Sequence, residues 1–279
     1  MFEDIIREAQ SKAEAAKEVN PNDYVQDGLL YCFKCHKPKE AIIPFPWGES
    51  KCAVQCDCQQ EAYRKEREHM AAQAKAERIS RLKERGFTDK TLLGCSFEQD
   101  DGSAPEFMRK MQNYCKKFDQ MREMNKGLLL FGTVGTGKTF AAACIANELM
   151  NRGVPCIVTS FPRIVNALQS SFENKQMYLD DLNDCDLLVI DDFSVERQTE
   201  YVQEIIYEVI DSRYKAGYPM IVTTNLTAAE LKNPKTVMQT RLYSRLLEMC
   251  HPIEVKGTDR RRKAVARSFA EMESLLGGD

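Results

Sequence analysis

The sequence predicts an α/β domain with a parallel sheet, because strand-like and helix-like segments alternate along most of the chain. Short apolar runs predict strands at 127–131, 154–159, 187–191, 220–224 and 252–255. Helical patterns cover 138–151, 162–172, 198–215 and 238–249. The clearest is 198–215, where apolar side chains recur at i, i+3, i+4, i+7 and i+8. Repeated βα units form a parallel sheet with helices on both faces, and ligands bind at the carboxyl ends of its strands.

The first of these strands runs directly into a complete phosphate-binding motif. Residues 132–139 read GTVGTGKT and match G-x-x-x-x-G-K-[ST], with a helical segment behind them. In such a loop, backbone N–H groups and the helix N-terminus bind phosphate, the lysine reaches the β- and γ-phosphates, and the threonine hydroxyl binds Mg²⁺. The predicted nucleotide contacts are Gly132, Thr133, Val134, Gly135, Thr136, Gly137, Lys138, Thr139 and Phe140. The alternative, an ordinary glycine turn before a helix, fits this context poorly, so we expect a site for a nucleoside triphosphate, ATP.

Polar residues follow two later strands of the predicted sheet. Asp191 ends the apolar run 187–190 and is expected to hold Mg²⁺, while Asp192 stands where a carboxylate would polarise the attacking water. Glutamate is usual at that second position, and the shorter aspartate leaves open how efficient hydrolysis is. Asn225 ends the run 220–224 and is expected to bind the γ-phosphate or the attacking water. Its alternative is an N-cap or Asx turn before a helix at 227–231.

Two arginines, Arg241 and Arg245, are spaced to share one helix face. One interpretation is an arginine finger that reaches the γ-phosphate in a neighbouring subunit, which would make hydrolysis depend on assembly. The other is a solvated face with Arg245 paired to Glu248. Their spacing does not choose between the two arginines.

The densest basic segment of the chain covers residues 256–263. Arg260 is predicted by its position to contact the nucleotide, as a sensor-2 residue. The segment could also bind DNA phosphates, or be a plain solvated cluster. Only 24 residues follow Val255, so we expect a truncated lid instead of a separate helical lid domain.

Five of the eleven cysteines fall within 27 residues near the N-terminus. Cys32 and Cys35 form a C-x₂-C pair, and Cys56 and Cys58 form a C-x-C pair after a gap of 20 residues. Four thiolates on two hairpin-like knuckles suit a closed tetrahedral Zn²⁺ site. The rival ligands are Cys52, His36 and His69. Redox-active thiols are the alternative, but the C-x₂-C pair lacks a βαβ context.

Composition divides the chain into three parts. Residues 1–58 combine an amphipathic helix over 1–20 with the cysteine module, in which Pro38, Pro44, Pro46 and Gly48 supply turns. Residues 59–86 form a charged connecting helix, held by pairs such as Glu77–Arg81 and closed by Gly86 as a C-cap. Residues 87–279 form the nucleotide-binding domain.

The overall charge and hydropathy favour a cytoplasmic protein. The formal net charge is −3 and the isoelectric point is about 5.8, so any contact with nucleic acid must be local. No apolar run approaches the roughly 20 residues that a membrane span needs. The acidic, weakly apolar N-terminus does not read as a signal peptide.

With these motifs in this order, the chain resembles the DnaC/DnaI family of AAA+ bacterial helicase loaders, to which the IstB transposition ATPases are related. The similarity runs from about residue 87 to 267 and is carried by CSFE, GTVGTGKTFAAACIANELM, LLVIDD, TTNL, RLYSRLLEMC and GTDRRR. The resemblance implies an AAA+ ATPase that loads the replicative hexameric helicase onto single-stranded DNA, self-associates through its ATPase domain, and hydrolyses ATP weakly until assembly or DNA stimulates it. It also implies that the cysteine-rich N-terminus binds the helicase.

Four other interpretations compete with this one. An IstB-like ATPase would regulate a transposase, although such chains usually lack a zinc module. A non-hydrolysing, ATP-gated adaptor is compatible with Asp192. A GTPase is disfavoured because the chain has no N-K-x-D motif and no D-x-x-G after the strand, and a small-molecule kinase would need neither the arginine pair nor the cysteines.

Overall fold

The computed structural model describes residues 19–46, 48–170, 175–194 and 199–260, together with 269, 272, 273 and 276. The predicted N-terminal helix falls almost entirely outside these residues, as do Arg261–Lys263 of the basic segment. The chain divides into two compact units, Met1–Ala76 and Glu77–Asp279. Among the described residues, no helix combines the length and apolarity needed to cross a bilayer.

The first unit contains two small antiparallel hairpins. Strands β1 (Tyr24–Gln26) and β2 (Leu29–Tyr31) form one, and β3 (Glu40–Phe45) and β4 (Gly48–Ala53) form the other. Pro44 therefore lies within a strand instead of making a turn, where its missing N–H is tolerated because β3 has only one neighbour.

The first unit buries few side chains, and none of them is aliphatic or aromatic. Within its described residues, those buried are Cys32, Lys39 and Cys56. Lys39 is neutralised by Asp23, whose carboxylate lies 2.7 Å from the ammonium group, and this ion pair lowers the pKa of Asp23. An apolar core of this size cannot hold a domain together without a further link.

Helix α1 (Asp57–Gly86) is long, charged and solvated, as predicted. Its residues are exposed or half-buried apart from Gly86, and the predicted Glu77–Arg81 pair is present at 3.3 Å. The helix ends at Gly86, as predicted, but Gly86 is its last helical residue and not a C-cap beyond it. A side chain there would place its Cβ 2.3 Å from the carbonyl oxygen of Cys156, so glycine is required for close packing.

The second unit is built on a five-stranded parallel sheet in the order β6-β7-β8-β5-β9 within the described residues. Its strands are β5 (Gly127–Phe131), β6 (Cys156–Ser160), β7 (Leu187–Phe193), β8 (Met220–Thr224) and β9 (Cys250–Glu254). Strand β5, which leads into the phosphate motif, is central and pairs with both β8 and β9.

Helices cover both faces of this sheet. They are α2 (Pro105–Lys116), α3 (Phe118–Glu123), α4 (Lys138–Asn151), α5 (Phe161–Ser170), α6 (Lys175–Asn183), α7 (Glu200–Ala216), α8 (Ala228–Lys232) and α9 (Val237–Met249). Short 3₁₀ turns at Lys90–Gly94 and Phe97–Gln99 precede α2. The predicted alternation of strands and helices is confirmed, and β5, β8 and α4 match their predicted bounds residue for residue.

Alternation along each strand divides the apolar core into two layers. Odd-numbered residues of β5 pack with α5, α6, α7 and α9, and even-numbered residues pack with α2 and α4. Since each strand is apolar on both sides, the sheet is buried on both faces, which is typical of parallel sheets. The carboxyl ends of the strands are left to form the site.

Candidate nucleotide-binding site and cysteine cluster

A cavity of about 440 Å³ opens at the carboxyl ends of β5, β7 and β8. It is lined by Gln99, Asp101, Val134, Gly135, Thr136, Gly137, Lys138, Thr139, Phe140, Asp192, Asn225 and Arg260. Residues 134–140, Asp192, Asn225 and Arg260 were all predicted from sequence to face a nucleotide, and the fold brings them to one cavity. Three other predicted residues, Gly132, Thr133 and Asp191, are not among those that line it.

The loop between β5 and α4 has a backbone that requires glycine. Gly132, Gly135 and Gly137 have φ values of 132°, 78° and 95°. A Cβ on Gly135 would lie 1.9 Å from Oδ1 of Asp259, and one on Gly137 would lie 3.2 Å from Cζ of Arg260. The chain segment after β9 therefore lies against the loop, and glycine is what allows it to come this close.

Lys138 begins helix α4 and its side chain turns back over the loop. Its Nζ donates hydrogen bonds to the carbonyl oxygens of Gly132, at 2.9 Å, and Thr133, at 2.7 Å. The side chain is 6% exposed. An ammonium group held at the mouth of a helix N-terminus is suited to bind an oxyanion, with both contributing positive charge.

Asp191 is held at the tip of β7 by two hydroxyl groups. Its Oδ1 accepts hydrogen bonds from Oγ1 of Thr139 at 2.7 Å and from Oγ1 of Thr223 at 2.5 Å. A carboxylate oxygen and a threonine hydroxyl side by side are hard oxygen donors of the kind that Mg²⁺ prefers. These residues fit the metal that the sequence motif implies.

Asp192 has an unusual backbone. Its φ is 53°, in the left-handed region, and the pairing of β7 with β8 shifts register between Ile190 and Phe193. Its N–H donates to Oγ1 of Thr223 at 3.1 Å. This bulge turns Asp192 into the cavity instead of along the strand. A strained non-glycine residue at the end of a strand is characteristic of functional sites.

Arg260 lies over the loop and is held by two acidic residues. The NH1 group of its guanidinium is 3.1 Å from the carboxylates of both Asp100 and Asp101. Its backbone N–H donates to the carbonyl oxygen of Gly135 at 2.9 Å. The guanidinium thus lies beside Gly137, in the loop that would bind the charged phosphates of a nucleotide.

Asn225 lines the cavity directly after β8. The alternative role of N-cap is taken by Thr227, whose hydroxyl accepts from the N–H of Glu230 at the start of α8. The described geometry therefore leaves Asn225 facing the ligand site.

The two arginines of α9 differ in their surroundings. Arg245 is half-buried and forms an ion pair with Asp211 of α7, and its guanidinium lies over the rings of Tyr207 and Tyr214. The alternative pairing of Arg245 with Glu248 is wrong, because the ion pair that Arg245 forms is with Asp211. Glu248 instead accepts a hydrogen bond from the Tyr214 hydroxyl at 2.8 Å. Arg241 is exposed, and its guanidinium lies 5.5 Å from the centre of the Tyr207 ring.

In the first unit, the sulfur atoms of Cys32, Cys35 and Cys56 lie within 4.8 Å of one another. Cys58 joins them through hydrogen bonding between its thiol and that of Cys35. Sulfurs bound to one tetrahedral zinc, at about 2.3 Å each, are separated by roughly 3.8 Å. Cys32, Cys35 and Cys56 are therefore close enough together to be ligands of one zinc ion, whereas the sulfur of Cys58, the fourth predicted ligand, does not lie within 4.8 Å of all three.

The two halves of this cluster have different backbones. Cys32 and Cys35 lie on a tight turn in which the N–H of His36 donates to the carbonyl oxygen of Cys32. The prediction that Cys56 and Cys58 form a second hairpin-like knuckle is wrong. They flank the first residue of α1, where the positive end of the helix stabilises thiolate charge.

The closeness of these cysteines shifts the pKa values of three of their thiols. Burial opposes ionisation of Cys35, but hydrogen bonds from the N–H groups of Cys58 and Lys37 and from neighbouring thiols outweigh it and lower its pKa to about 6. The hydrogen bond to Cys35 raises the pKa of Cys58 to about 11, and burial raises that of Cys56. The lowered pKa of Cys35 favours a thiolate at that position, and the raised pKa values of Cys56 and Cys58 disfavour ionisation of the other two thiols.

Among the described residues, the three rival ligands do not belong to the group of close sulfur atoms. Cys52 pairs with Ala41 in the β3–β4 hairpin. Nδ1 of His36 and the hydroxyl of Tyr24 are hydrogen-bonded, at 3.1 Å. His69 lies on α1, more than three turns after the cysteines.

Several residues of the site were not predicted from sequence. Thr223 orients Asp191, Asp100 and Asp101 hold Arg260, and Asp211 holds Arg245. Asp100 is 160 positions from Arg260, so no local pattern could pair them. Thr223 offered a weak signal, as a hydroxyl within an otherwise apolar strand.

The sequence is similar to those of two curated helicase loaders. It is 30% identical over 190 residues to the replicative helicase loader DnaI of Bacillus subtilis, covering 63% of this chain and 61% of that protein. It is 32% identical over 145 residues to the replicative helicase loader DnaC of Escherichia coli K12, covering 49% and 58%. The chain thus spans about three fifths of the length of each relative.

The fold is similar to those of related crystal structures. The structure of DnaI superposes with a TM-score of 0.50 at 22% identity, covering 64% of this chain and 99% of that one. A putative primosome component from Streptococcus pyogenes gives 0.53 at 20% identity, covering 64% and 97%. Residues 50–268 match the family described as IstB-like ATP binding protein. The match includes the phosphate loop, Asp191 and Arg260, and the chain belongs to the IstB-like ATP-binding protein family.

Proposed function

We propose that the protein is an ATPase that loads the replicative hexameric helicase onto single-stranded DNA. The observation that carries the proposal is the cavity at the carboxyl ends of β5, β7 and β8, which gathers a phosphate loop, two acidic residues, an asparagine and an arginine. The curated relatives named above are helicase loaders, which supports this partner.

In this proposal, the loop and Lys138 bind the phosphates of ATP. Thr139 and Asp191 hold Mg²⁺, which neutralises phosphate charge when bound. Asp192 and Asn225 face the water that attacks the γ-phosphate. Arg260 exchanges its contacts with Asp100 and Asp101 for the nucleotide.

Self-association supplies one further residue, an arginine of α9. Arg241 belongs to no ion pair within the described part of the chain and is exposed, whereas Arg245 is half-buried and paired with Asp211. Both arginines remain candidates for the finger, and substituting each in turn decides between them by loss of turnover without loss of ATP affinity.

The cysteine module holds a structural zinc through Cys32, Cys35, Cys56 and Cys58. Its role is to fold residues 31–58 into a surface for the helicase, since that unit buries almost no apolar side chains. The domain limits predicted above, 1–58, 59–86 and 87–279, follow from the same proposal.

Helicase loading is tested with purified protein, a hexameric replicative helicase and single-stranded DNA. The protein should bind the helicase, place it on DNA in the presence of ATP, and hydrolyse ATP faster when DNA is added. Binding and loading without any turnover would support the ATP-gated adaptor instead. Absence of helicase binding would overturn the proposal.

The family match favours one second candidate, regulation of a transposase. The same assay separates the two, because an IstB-like regulator should bind duplex DNA and a transposase and should leave the helicase in solution.

A further inference from the structure

A groove of about 820 Å³ lies at the free edge of the five-stranded sheet, between α2, α3 and the edge strand β9. It reaches the first residues of β5, at the end of that strand opposite the phosphate loop. None of its described lining residues lines the nucleotide cavity. Its apolar part includes Met121, Leu128 and Ile253. Four of its other lining residues are lysines, and we call it the lysine groove after them: Lys110, Lys117, Lys126 and Lys256.

The described residues leave most of the positive charge of the lysine groove uncompensated. Lys110 and Lys117 are exposed and form an ion pair with none of the described residues. Glu254 is the one acidic residue in the described lining, and its carboxylate lies 3.2 Å from the ammonium group of Lys256. A ligand that offers both carboxylates and an apolar surface would complement this groove.

The lining favours a helix as ligand over a nucleic acid or an added strand. Single-stranded nucleic acids stack their bases on exposed aromatic rings. The only large aromatic ring in the described lining, that of Tyr114, is 5% exposed, and its hydroxyl donates to the carbonyl oxygen of Lys126 at 3.1 Å. An added strand is disfavoured because Pro252, at the centre of β9, has no N–H to donate. Met121 and Met124 instead provide the adaptable apolar contacts that suit an amphipathic helix.

One segment of this chain has the matching chemistry. Phe269, Met272 and Leu276 have helical backbone, and their spacing of three and four residues places them on one helix face. They are 68%, 48% and 79% exposed, and we call them the exposed stripe. Glu273 is also exposed and flanks this face. Residues 264–279 contain three acidic residues and one arginine, so the segment is acidic as well as apolar.

We propose that the exposed stripe of one copy of this chain docks into the lysine groove of a second copy. Burial of the stripe against the methionines and Ile253 supplies the apolar contact, and the lysines attract the acidic residues around Glu273. The occupant comes from a second copy because the stripe is exposed in its own chain. Groove and stripe are different surfaces, so the contact can join copies into a ring or an open row. This inference rests on the self-association in the proposed function, for which it supplies a surface.

The test measures self-association of full-length chains by sedimentation velocity with a non-hydrolysable ATP analogue. The stripe variant carries Phe269→Ser and Leu276→Ser, and its control is Met177→Ser, an equally exposed apolar residue of α6. The groove variant carries Lys110→Glu and Lys117→Glu, and the acidic-segment variant carries Glu271→Lys and Glu273→Lys. Lys232→Glu on the exposed surface of α8 is the control for charge reversal.

We expect the stripe variant to raise the Kd of self-association by roughly tenfold or more, because two apolar side chains lose their burial. The groove variant and the acidic-segment variant should each associate more weakly than the parent. A mixture of these two should return to nearly the affinity of the parent, because reversed lysines then meet reversed carboxylates. Both controls should associate like the parent. Unchanged melting temperatures and ATP affinities verify that each variant is folded.

Three results would overturn the inference while the parent still associates. The first is parental association of the stripe variant. The second is a mixture of the two reversed variants that associates no better than either alone. The third is a groove variant that associates normally but loses affinity for a labelled oligo-dT strand, which would make the lysine groove a site for nucleic acid. A parent that stays monomeric with the ATP analogue, helicase and DNA would instead refute the self-association in the proposed function, together with this contact.

Discussion

The ammonium group of Lys138 rests on two carbonyl oxygens of the loop that it serves. Binding of ATP requires it to exchange these neutral acceptors for charged phosphate oxygens, which form stronger hydrogen bonds. We expect Lys138→Ala to weaken ATP binding by about ten- to a hundredfold, the range that loss of one charge-assisted hydrogen bond implies. Titration with a fluorescent ATP analogue measures this, and Lys232→Ala on the exposed surface of α8 is the control. Unchanged affinity in Lys138→Ala would remove the phosphate loop from the mechanism.

Gly135 and Gly153 provide a matched comparison of conformation and contact. Both have positive φ, at 78° and 87°, but a Cβ on Gly135 would collide with Asp259 whereas one on Gly153 would meet nothing within 4 Å. Alanine at either position costs about 1 kcal/mol of backbone strain. We expect Gly153→Ala to lose only this amount of stability and to bind ATP normally, whereas Gly135→Ala should lose ATP binding as well. Thermal melting and nucleotide titration of both variants check this, and equal behaviour would argue that residue 259 does not shape the loop.

Asp100 and Asp101 give Arg260 a carboxylate environment that a γ-phosphate must replace. Arg260→Ala should therefore weaken binding of a non-hydrolysable ATP analogue more than binding of ADP. Asp100→Asn should act in the opposite sense and raise the preference for the triphosphate by a few-fold, because Arg260 is held less firmly. Calorimetric titrations of both nucleotides decide the matter. Equal effects on ADP and the triphosphate would assign Arg260 to another part of the nucleotide.

At the scale of elements, the start of helix α1 is the segment where we expect cysteine substitution to have the largest effect. Cys56 and Cys58 flank its first residue, Asp57, and lie beside the thiols of Cys32 and Cys35. We expect one zinc per chain, lost in the Cys56→Ser, Cys58→Ser double variant and retained in Cys52→Ser. Metal analysis and thiol titration test this. Zinc-free protein with reactive thiols would contradict the assignment.

The elements that the sequence predicted well are those whose pattern and context agree. Strand β5 is a short apolar run that ends at a glycine loop, and α7 has one apolar stripe and a glycine, Gly217, directly after it. Helix α2 was missed although Met108, Met111 and Cys115 are buried on one face. These buried residues recur every three or four positions, which is the pattern of an amphipathic helix. The hairpins β1–β2 and β3–β4 were missed because their strands bury almost nothing, so no alternation marks them.

The sequence predicted those residues of the site whose type is fixed by their function. It did not predict the residues that only hold them in place. The phosphate loop, Asp191 and Asn225 each end a recognisable strand. Thr223 and Asp100 are ordinary residues whose importance comes from neighbours 32 and 160 positions away. Such pairs depend on the finished packing of the sheet, so a single sequence does not reveal them.

At the scale of the whole molecule, two kinds of stabilisation meet in one chain. The first unit depends on thiols and an ion pair, and the second on a two-layered apolar core. We expect two calorimetric transitions, one removed by a zinc chelator and one raised by ATP. At a hundredfold excess over its Kd, ATP should add about 2.7 kcal/mol to the second unit alone. A single transition that responds to both reagents would mean that the units unfold together.

The position of β5 has a consequence for how the protein is made. It lies in the sheet between β8 and β9, which leave the ribosome about 90 and 120 residues later. The phosphate loop therefore cannot take its final shape until β9 has been synthesised, because before then its strand lacks at least one neighbour. Until then β5 is an apolar strand with at least one unpaired edge, the kind of segment that associates wrongly with other chains. The strand that leads into the nucleotide site is thus also the strand that waits longest for its partners during synthesis.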